Sequence, residues 1–288
     1  MDNLYNKTIK IMKKYNVVAN KSFGQNFLID ENIVESIVEK ANIGKDDFVI
    51  EIGPGLGTLT EYLLKNAGKV LAVELDKKMV NIITDRFSEE INNKNLEVIC
   101  DDILKVNLKE IIKKEVEAGY KRVKVVANLP YYITTPIIMK LLEEKLEIES
   151  ITVMIQKEVA NRLAEIPGGK ETGAITYTVY YYADTKILLE VPKDSFIPEP
   201  EVTSAVIQFN ILKSPRVNVE NEEEFFKLIK QSFLMKRKTL VNALAGYKNK
   251  EKQDIINILQ DLGINEKVRA EQLTLEQFVK IYDKILKG

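Results

Sequence analysis

Between Phe48 and Phe209, short β-rich runs alternate with segments of helical pattern, and this alternation constrains the fold more than any other feature. The runs FVIEIG, KVLAVEL, LEVIC, KVVANL and ITVMIQ are apolar at most positions, as expected for strands buried on both faces. The segments between them, such as TLTEYLLKNA and KKMVNIITDRF, place apolar residues at helical spacing. Strands that alternate with helices predict parallel βαβ units in a doubly wound sheet.

Two later runs predict how the sheet ends. ITYTVYYYA (175–183) and SAVIQFNI (204–211) follow without a long helix between them. We therefore expect them to close the sheet as an antiparallel pair. The predicted fold class is α/β, with a Rossmann-like, mostly parallel sheet of seven strands.

The character of the chain changes after residue 212. The polar, proline-bearing stretch KSPRVNVENEEE is followed by four short amphipathic patterns, which predict a small all-helical domain. We therefore expect a domain containing the sheet at 1–212, whose residues 1–22 form a basic arm, and a helical domain at 213–288.

Charge is distributed unevenly along the chain. Residues 1–22 carry five Lys and one Asp, and residues 210–288 carry 15 basic and 11 acidic residues. Residues 23–209 hold 22 basic and 31 acidic residues. An acidic body with basic ends suggests that the ends contact a polyanion while the body holds another ligand. The alternative is that lysines only keep the ends soluble.

Composition excludes several kinds of chemistry. The chain has no histidine, which rules out Ser-His-Asp and Cys-His catalysis and histidine-ligated metals. Cys100 is the only cysteine, so neither an intrachain disulfide nor a four-cysteine metal site can form. The sequence contains no signal-like stretch and no run of about 18 apolar residues. We therefore expect a cytoplasmic protein that does not contact a membrane and holds no metal.

The glycine-rich sequence EIGPGLG (51–57) follows the first predicted strand and precedes a helix. Glycine permits positive φ angles and lets a ligand approach the backbone closely. A dinucleotide site would need a third glycine at position 58, where this chain has Thr58. The glycines instead stand at every second position, Gly53, Gly55 and Gly57. This spacing favours a nucleoside ligand without a pyrophosphate, of which S-adenosylmethionine is the commonest. The alternative is a turn that only packs a helix against a strand.

Two acidic positions at later strand ends extend this site. Glu74 ends the second strand, 21 residues after Gly53, where a carboxylate accepts hydrogen bonds from the ribose hydroxyls of a nucleoside. Asp102 follows the third strand and is placed to accept from the adenine amino group. Asp101 is an alternative for that role, and an acid at either strand end is also compatible with an ordinary solvated turn.

The sequence NLPYY (128–132) ends the fourth strand and is the most specific motif. The exocyclic amine of adenine is a poor nucleophile because its lone pair is delocalised into the ring. The Asn128 side-chain oxygen and the Leu129 backbone carbonyl together can accept both amine protons and direct the lone pair at a methyl donor. Pro130 fixes the turn, and Tyr131 offers a face on which an extruded base stacks. The alternative is a strand-to-loop turn with buried tyrosines.

A proline-rich loop, FIPEP (196–200), precedes the last predicted strand. Its prolines stiffen the loop, and Phe196 at its start is a candidate for the opposite wall of a base pocket. The pattern is equally compatible with Phe196 in the hydrophobic core.

Together these motifs resemble the ribosomal RNA adenine N6-dimethyltransferase family, whose fold is that of class I methyltransferases. Eight blocks stand in the family's order: KSFGQNFLID, EIGPGLGTLT, VELD, DDIL, VANLPYYITTPIIMKLLE, IQKEVANRL, FIPEPEVTSAV and MKRKTL. Leu129 and Tyr132 in NLPYY are similar to the housekeeping branch. That branch dimethylates two adjacent adenines in a hairpin near the 3′ end of small-subunit rRNA.

The resemblance implies further roles for individual residues. Asn26 and Leu28 belong to the segment that closes over the methionine part of S-adenosylmethionine, which leaves as S-adenosylhomocysteine. Phe196 gains support as the second stacking wall. The basic sequence MKRKTL implies phosphate contacts by Lys236, Arg237 and Lys238. The resemblance thus implies that 1–212 is the catalytic domain, which binds S-adenosylmethionine, and that 213–288 is the RNA-binding domain. Family members often have arginine in place of Lys236, and lysine keeps the charge but not the bidentate fork.

Two other functions remain open from the sequence. The antibiotic-resistance branch of the family methylates large-subunit rRNA and typically has isoleucine at the position of Leu129. A mainly non-catalytic assembly factor would dock on immature small subunits and leave when they are finished. For the leading interpretation we expect a monomer whose partners are small-subunit rRNA and the immature small ribosomal subunit.

Overall fold

The computed structural model describes residues 3–20, 24–235 and 237–287. The strands in this part of the chain are β1 (Phe27–Leu28), β2 (Asp47–Ile52), β3 (Lys69–Glu74), β4 (Leu96–Cys100), β5 (Arg122–Asn128), β6 (Ser150–Gln156), β7 (Ala183–Val191), β8 (Phe196–Ile197) and β9 (Ser204–Ile211). The helices are α1 (Leu4–Lys14), α2 (Glu31–Lys40), α3 (Thr58–Asn66), α4 (Lys77–Arg86), α5 (Ser88–Asn92), α6 (Leu108–Glu117), α7 (Thr134–Glu143), α8 (Lys157–Ala164), α9 (Ala174–Tyr182), α10 (Glu222–Phe233), α11 (Leu240–Leu244), α12 (Lys252–Asp261) and α13 (Leu275–Lys287). Among these helices, none has the length and apolar character needed to cross a membrane.

A seven-stranded sheet carries the candidate site. Its strand order is β4-β3-β2-β5-β6-β9-β7. The five strands from β4 to β6 pair in parallel, and β9 is antiparallel to β6. Every residue of β2 is buried, including its two acids, Asp47 and Glu51, as expected for a central strand covered on both faces. The predicted α/β class and the mostly parallel, seven-stranded sheet are confirmed. The strands β3 and β4 lie on one side of β2, and β5 and β6 lie on the other. Because the strand order reverses between β2 and β5, a crevice forms at the carboxyl ends of these two strands.

The prediction of a strand at 175–183 is wrong, because Ala174–Tyr182 forms helix α9. Thr176, Tyr177 and Tyr181 are each at most 1% exposed. The Tyr177 hydroxyl lies 2.9 Å from the Ala270 carbonyl oxygen and 2.7 Å from that of Leu273. A helix enclosed on nearly every side shows no polar face, so its sequence lacks the helical periodicity. The strand at the edge of the sheet, next to β9, is β7, which follows this helix.

The chain divides into two compact units. The first consists of residues 1–160 and 186–211, and the second of residues 161–185 and 212–288. The later part of the second unit contains the four helices α10 to α13, close to the four predicted patterns. The predicted division at 212/213 omits the earlier segment 161–185. That segment belongs to the second unit because α9 packs against its helices, with Tyr177 in edge contact with Phe278.

The predicted basic arm contains helix α1. The Lys7 ammonium lies 2.6 Å from the Glu61 carboxylate, and the Lys14 ammonium lies 2.9 Å from that of Asp85. Leu4 and Thr8 are buried on the inner face of this helix. Part of the positive charge at 1–22 is therefore balanced by acidic side chains of the first unit.

Candidate active site

A cavity lies at the carboxyl edge of the parallel strands. It is built from the residues that follow β2, β3, β4 and β5, together with the segment 24–28 that contains β1. Strand ends meet here because parallel strands all point to the same edge of the sheet. The predicted residues that line it are Asn26, Leu28, Gly53, Gly55, Glu74, Asp102, Asn128, Leu129, Pro130 and Tyr131.

The glycine loop after β2 requires glycine for two different reasons. At Gly53, φ is +67° and a Cβ atom would meet nothing within 4 Å, so the missing side chain leaves open space in the cavity. At Gly57, φ is +81° and a Cβ atom would lie 2.6 Å from the side chains of Ile83 and Phe87. The loop thus combines close helix packing at one end with a bare backbone at the other.

Glu74 connects this loop to the end of β3. It is 9% exposed, and its carboxylate accepts hydrogen bonds from the Gly55 N–H at 3.1 Å and the Asp76 N–H at 2.9 Å. Burial raises the pKa of Glu74, and these N–H groups oppose that shift. An ionised carboxylate has about four acceptor sites, so it retains the capacity to accept from ribose hydroxyls.

Asp101 and Asp102 both line the cavity after β4. The Asp102 carboxylate accepts from the Leu104 N–H at 3.0 Å, which fixes the turn, and Asp102 is the more enclosed of the two residues. The buried side chain of Ile103 also faces the cavity. An apolar wall beside a carboxylate suits an adenine ring with its amino group.

Asn128 faces the cavity from the end of β5. Its Nδ2 donates to the main-chain carbonyl of Asn26 at 3.2 Å, and the Asn26 side chain in turn donates to the Gly24 carbonyl at 3.2 Å. This bond fixes the orientation of the Asn128 amide. The nitrogen Nδ2 is used as a donor, and the oxygen Oδ1 can accept a hydrogen bond from a ligand. The Leu129 N–H donates to the main-chain carbonyl of Met154 at 3.1 Å, which holds the backbone where the turn begins.

Tyr131 is held by a residue that sequence reasoning missed. Its hydroxyl lies 2.7 Å from that of Ser204, which is fully buried at the start of β9. Burial also raises the pKa of Tyr131, so the hydroxyl stays protonated at neutral pH. Ser204 lies 73 residues further along the chain, and no local pattern marks it.

Phe196 is a correction to the predicted site, because the structure does not bring it to the cavity lining. It is 2% exposed and belongs to the hydrophobic core of the sheet domain. The cause is its strand, β8, which pairs antiparallel with β1 and sets Phe196 opposite Leu28. In this arrangement Phe196 presents no open ring face to the cavity.

Glu51 is a buried acid in the cavity wall to which the motif analysis assigned no role. It is 1% exposed, and the Thr60 hydroxyl donates to it at 2.6 Å. Burial, together with the nearby charge of Glu74, raises the pKa of Glu51 to about 8. The side chain is therefore largely protonated at neutral pH, and it adds no full negative charge beside Glu74.

Of the predicted RNA-contacting residues, Lys236 lies outside the described residues. Arg237 and Lys238 are exposed in the segment between α10 and α11 of the second unit. Within the described part of the chain, no group of three or more acidic or cysteine residues is arranged to hold a metal ion.

The shape and the polar groups of the cavity suit S-adenosylmethionine. A Cβ at Gly53 would occupy open space, so a ligand can lie against the backbone there. Glu74 offers acceptors for ribose, and Asp102 with Ile103 offers an acceptor beside an apolar surface. These residues would hold the nucleoside, with Asn128 next to it.

Comparison with known proteins decides the family. Residues 16–287 match the profile of the family described as Ribosomal RNA adenine dimethylase. The chain belongs to this family. It is accordingly an S-adenosylmethionine-dependent rRNA adenine dimethyltransferase, as the motifs predict.

Individual members of the family are similar over nearly their whole length. The chain is 47% identical to Ribosomal RNA small subunit methyltransferase A of Alkaliphilus oremlandii, over 94% of this chain and 93% of that protein. It is 46% identical to the protein of the same name from Bacillus pumilus, over 98% and 96%.

Solved structures agree in fold. A dimethyladenosine transferase from Plasmodium falciparum superposes with a TM-score of 0.74 at 27% identity, covering 91% of this chain and 98% of that one. The 23S rRNA methyltransferase ErmE superposes with a TM-score of 0.66 at 22% identity, covering 90% and 99%. The second likeness concerns the fold alone.

The role of Glu74 predicts the effect of Glu74→Gln on cofactor affinity. The glutamine side chain has the same shape as glutamate but carries no charge. One of its two terminal atoms is an NH₂ group, which cannot accept a hydrogen bond from the N–H of Gly55 or Asp76 or from a ribose hydroxyl. Charge-assisted hydrogen bonds to the ribose are then lost, so we expect the dissociation constant of S-adenosylhomocysteine to rise about 10- to 150-fold. Isothermal titration calorimetry measures this value directly.

Glu117→Gln is the matched control, since that side chain is 68% exposed at the end of α6. Its cofactor affinity should equal that of the unchanged protein. Equal affinity in Glu74→Gln would mean that Glu74 does not bind the ribose.

Proposed function

We propose that this chain transfers methyl groups from S-adenosylmethionine to N6 of two adjacent adenines in a hairpin near the 3′ end of small-subunit rRNA. The observation that best supports this proposal is that Asn128 and Leu129 line the cavity that suits the cofactor, with the Asn128 amide held by the Asn26 carbonyl. The choice of small-subunit rRNA is supported by the names of the relatives that are 46–47% identical.

Two acceptors prepare the target amine. The Asn128 side-chain oxygen accepts one N–H of the amine, and the Leu129 main-chain carbonyl accepts the other. These bonds draw the nitrogen toward tetrahedral geometry and localise its lone pair. Asn26 keeps the Asn128 amide in this orientation by accepting from Nδ2. The arrangement acts through preorganised dipoles, which need no rearrangement during the reaction.

The reaction requires no proton-abstracting side chain before transfer. When bound, S-adenosylmethionine would supply an electrophilic methyl carbon. The amine lone pair would form the N–C bond while the sulfonium S–C bond breaks, and S-adenosylhomocysteine would leave. The resulting methylated amine is a strongly acidic cation that loses its proton to water. The absence of histidine from the sequence is consistent with such a reaction.

We also infer that the protein acts as a monomer on the immature small subunit in the cytoplasm, where rRNA is assembled into ribosomes. Contacts to phosphates carry no sequence information, so the choice of adenine depends on RNA shape.

Methyl transfer to purified ribosomal subunits tests the proposal. The protein is incubated with methyl-labelled cofactor and with unmethylated small or large subunits, and the modified nucleotides are mapped. We expect label at N6 of two neighbouring adenines of small-subunit rRNA. Label confined to large subunits would favour a resistance-type enzyme, and binding without label would favour an assembly factor.

The exposed cations between α10 and α11 predict a change in salt dependence. Replacing both Arg237 and Lys238 with alanine should reduce the slope of log affinity against log salt concentration by roughly 1 to 2, because each lost phosphate contact releases one fewer counterion. Affinity for small-subunit particles, measured by filter binding across a salt series, gives this slope.

Lys113→Ala is the control for that experiment, because Lys113 is 77% exposed on α6. It should leave the slope unchanged. An unchanged slope in the double variant would place the RNA surface elsewhere.

A further inference from the structure

Tyr132 is an exposed aromatic residue that lines the cavity. It is 58% exposed, and among the residues that the structure describes its hydroxyl makes no hydrogen bond. Its neighbour Tyr131, in contrast, is tied to Ser204, and Phe196 is in the core. An apolar ring left open beside a ligand cavity is a typical contact surface for a ligand.

The position of the Tyr132 ring is set by its surroundings. It stands in a short helical turn, Tyr131–Ile133, which is closed by a hydrogen bond from the Ile133 N–H to the Pro130 carbonyl at 3.2 Å. A Cβ at Gly24 would lie 3.4 Å from Cδ1 and 3.6 Å from Cε1 of Tyr132. The backbone at Gly24 thus supports one side of the ring, while more than half of the residue remains accessible.

We propose that Tyr132 is the stacking platform for the base next to the target adenine. The inference rests on the proposed function, in which the two target adenines are adjacent. When one base enters the cavity, its neighbour remains at the mouth, where Tyr132 presents its ring. Stacking on an aromatic side chain tolerates any base and requires no hydrogen bond, which agrees with a tyrosine whose hydroxyl is unengaged.

Three variants separate stacking from other contributions. Tyr132→Phe keeps the ring and removes the hydroxyl, Tyr132→Leu keeps apolar volume without an aromatic face, and Tyr132→Ala removes both. We expect phenylalanine to behave as the unchanged protein. Leucine and alanine should weaken binding to small-subunit particles about 5- to 150-fold. Val116→Ala is the control, since Val116 is an exposed apolar residue (38%) on α6, outside the cavity lining and outside the two basic ends of the chain.

A fluorescent base gives a readout that does not depend on activity. Small-subunit particles are reconstituted with rRNA that carries 2-aminopurine beside the target adenine, because this base is quenched when stacked. We expect quenched emission in complexes with the unchanged protein, Tyr132→Phe and Val116→Ala. Brighter emission is expected with Tyr132→Ala and Tyr132→Leu.

The possible results separate this inference from the proposed function. Labelled small subunits together with unchanged affinity and emission in Tyr132→Ala would overturn the inference alone. A loss in Tyr132→Phe as large as that in Tyr132→Ala would also overturn it, because a hydroxyl contact would then carry the effect. An unchanged protein that never labels small subunits would overturn the proposed function and this inference with it.

Discussion

Replacing Asn128 with alanine should lower the rate of methyl transfer by about 10²- to 10³-fold, the usual cost of losing one preorganised polar group at a reacting centre. The variant loses the acceptor that orients the amine, and it also loses the donor to the Asn26 carbonyl. Binding to the small subunit should stay nearly unchanged, because phosphate contacts provide most of the affinity. Single-turnover transfer of labelled methyl groups measures the rate, and filter binding measures the affinity.

Asn66→Ala is the control for this experiment. Asn66 ends α3, and its side chain donates only to the Tyr62 carbonyl in the described structure. Its rate should match that of the unchanged protein. If Asn128→Ala also retained that rate, the amine would be activated by another group and the proposed mechanism would fail.

Replacing Asp47 with alanine should lower the free energy of unfolding by about 3–5 kcal/mol, because it removes the nearest and only fully buried carboxylate from a buried cation. Asp47 is fully buried at the start of β2, 2.5 Å from Arg122 Nε and 3.2 Å from Lys124 Nζ. Lys124 is 2% exposed, so water cannot replace the lost partner. The carboxylate that remains, that of Glu149, is more distant at 3.5 Å and belongs to a half-exposed side chain. Urea unfolding followed by circular dichroism measures the change.

The neighbouring residue supplies a control with the same chemistry. Asp46 pairs with Lys121 at 2.8 Å, but both side chains are more than half exposed. Asp46→Ala should therefore leave the unfolding transition almost where it was. Equal effects in the two variants would show that burial does not govern this ion cluster.

Local patterns were sufficient for most of the sheet domain. A strand buried on both faces requires an apolar run, and a helix packed on one face requires apolar residues every three or four positions. Both rules concern neighbours in the chain, so β2 to β6 and their helices could be predicted within a few residues. The same rules failed for α9, because a helix enclosed on nearly every side has neither pattern.

Contiguous motifs also carried much of the chemistry. Gly53, Glu74 and Asn128 each stand at the end of a parallel strand, and parallel topology alone brings such ends together. Ser204 and the Asn26 carbonyl could not be found in this way, since they reach Tyr131 and Asn128 from 73 and 102 residues away.

The sequence by itself determined the α/β class and the places of the glycine-rich loop after β2 and of Asn128 and Leu129 at the end of β5, because each depends on residue type and short-range spacing. Only the tertiary structure decided which aromatic rings face the cavity. The pairing of β8 with β1 buries Phe196, whereas the turn after Pro130 leaves Tyr132 accessible. Side-chain exposure depends on which distant segments pack together, and the spacing of residues along the chain does not predict that packing.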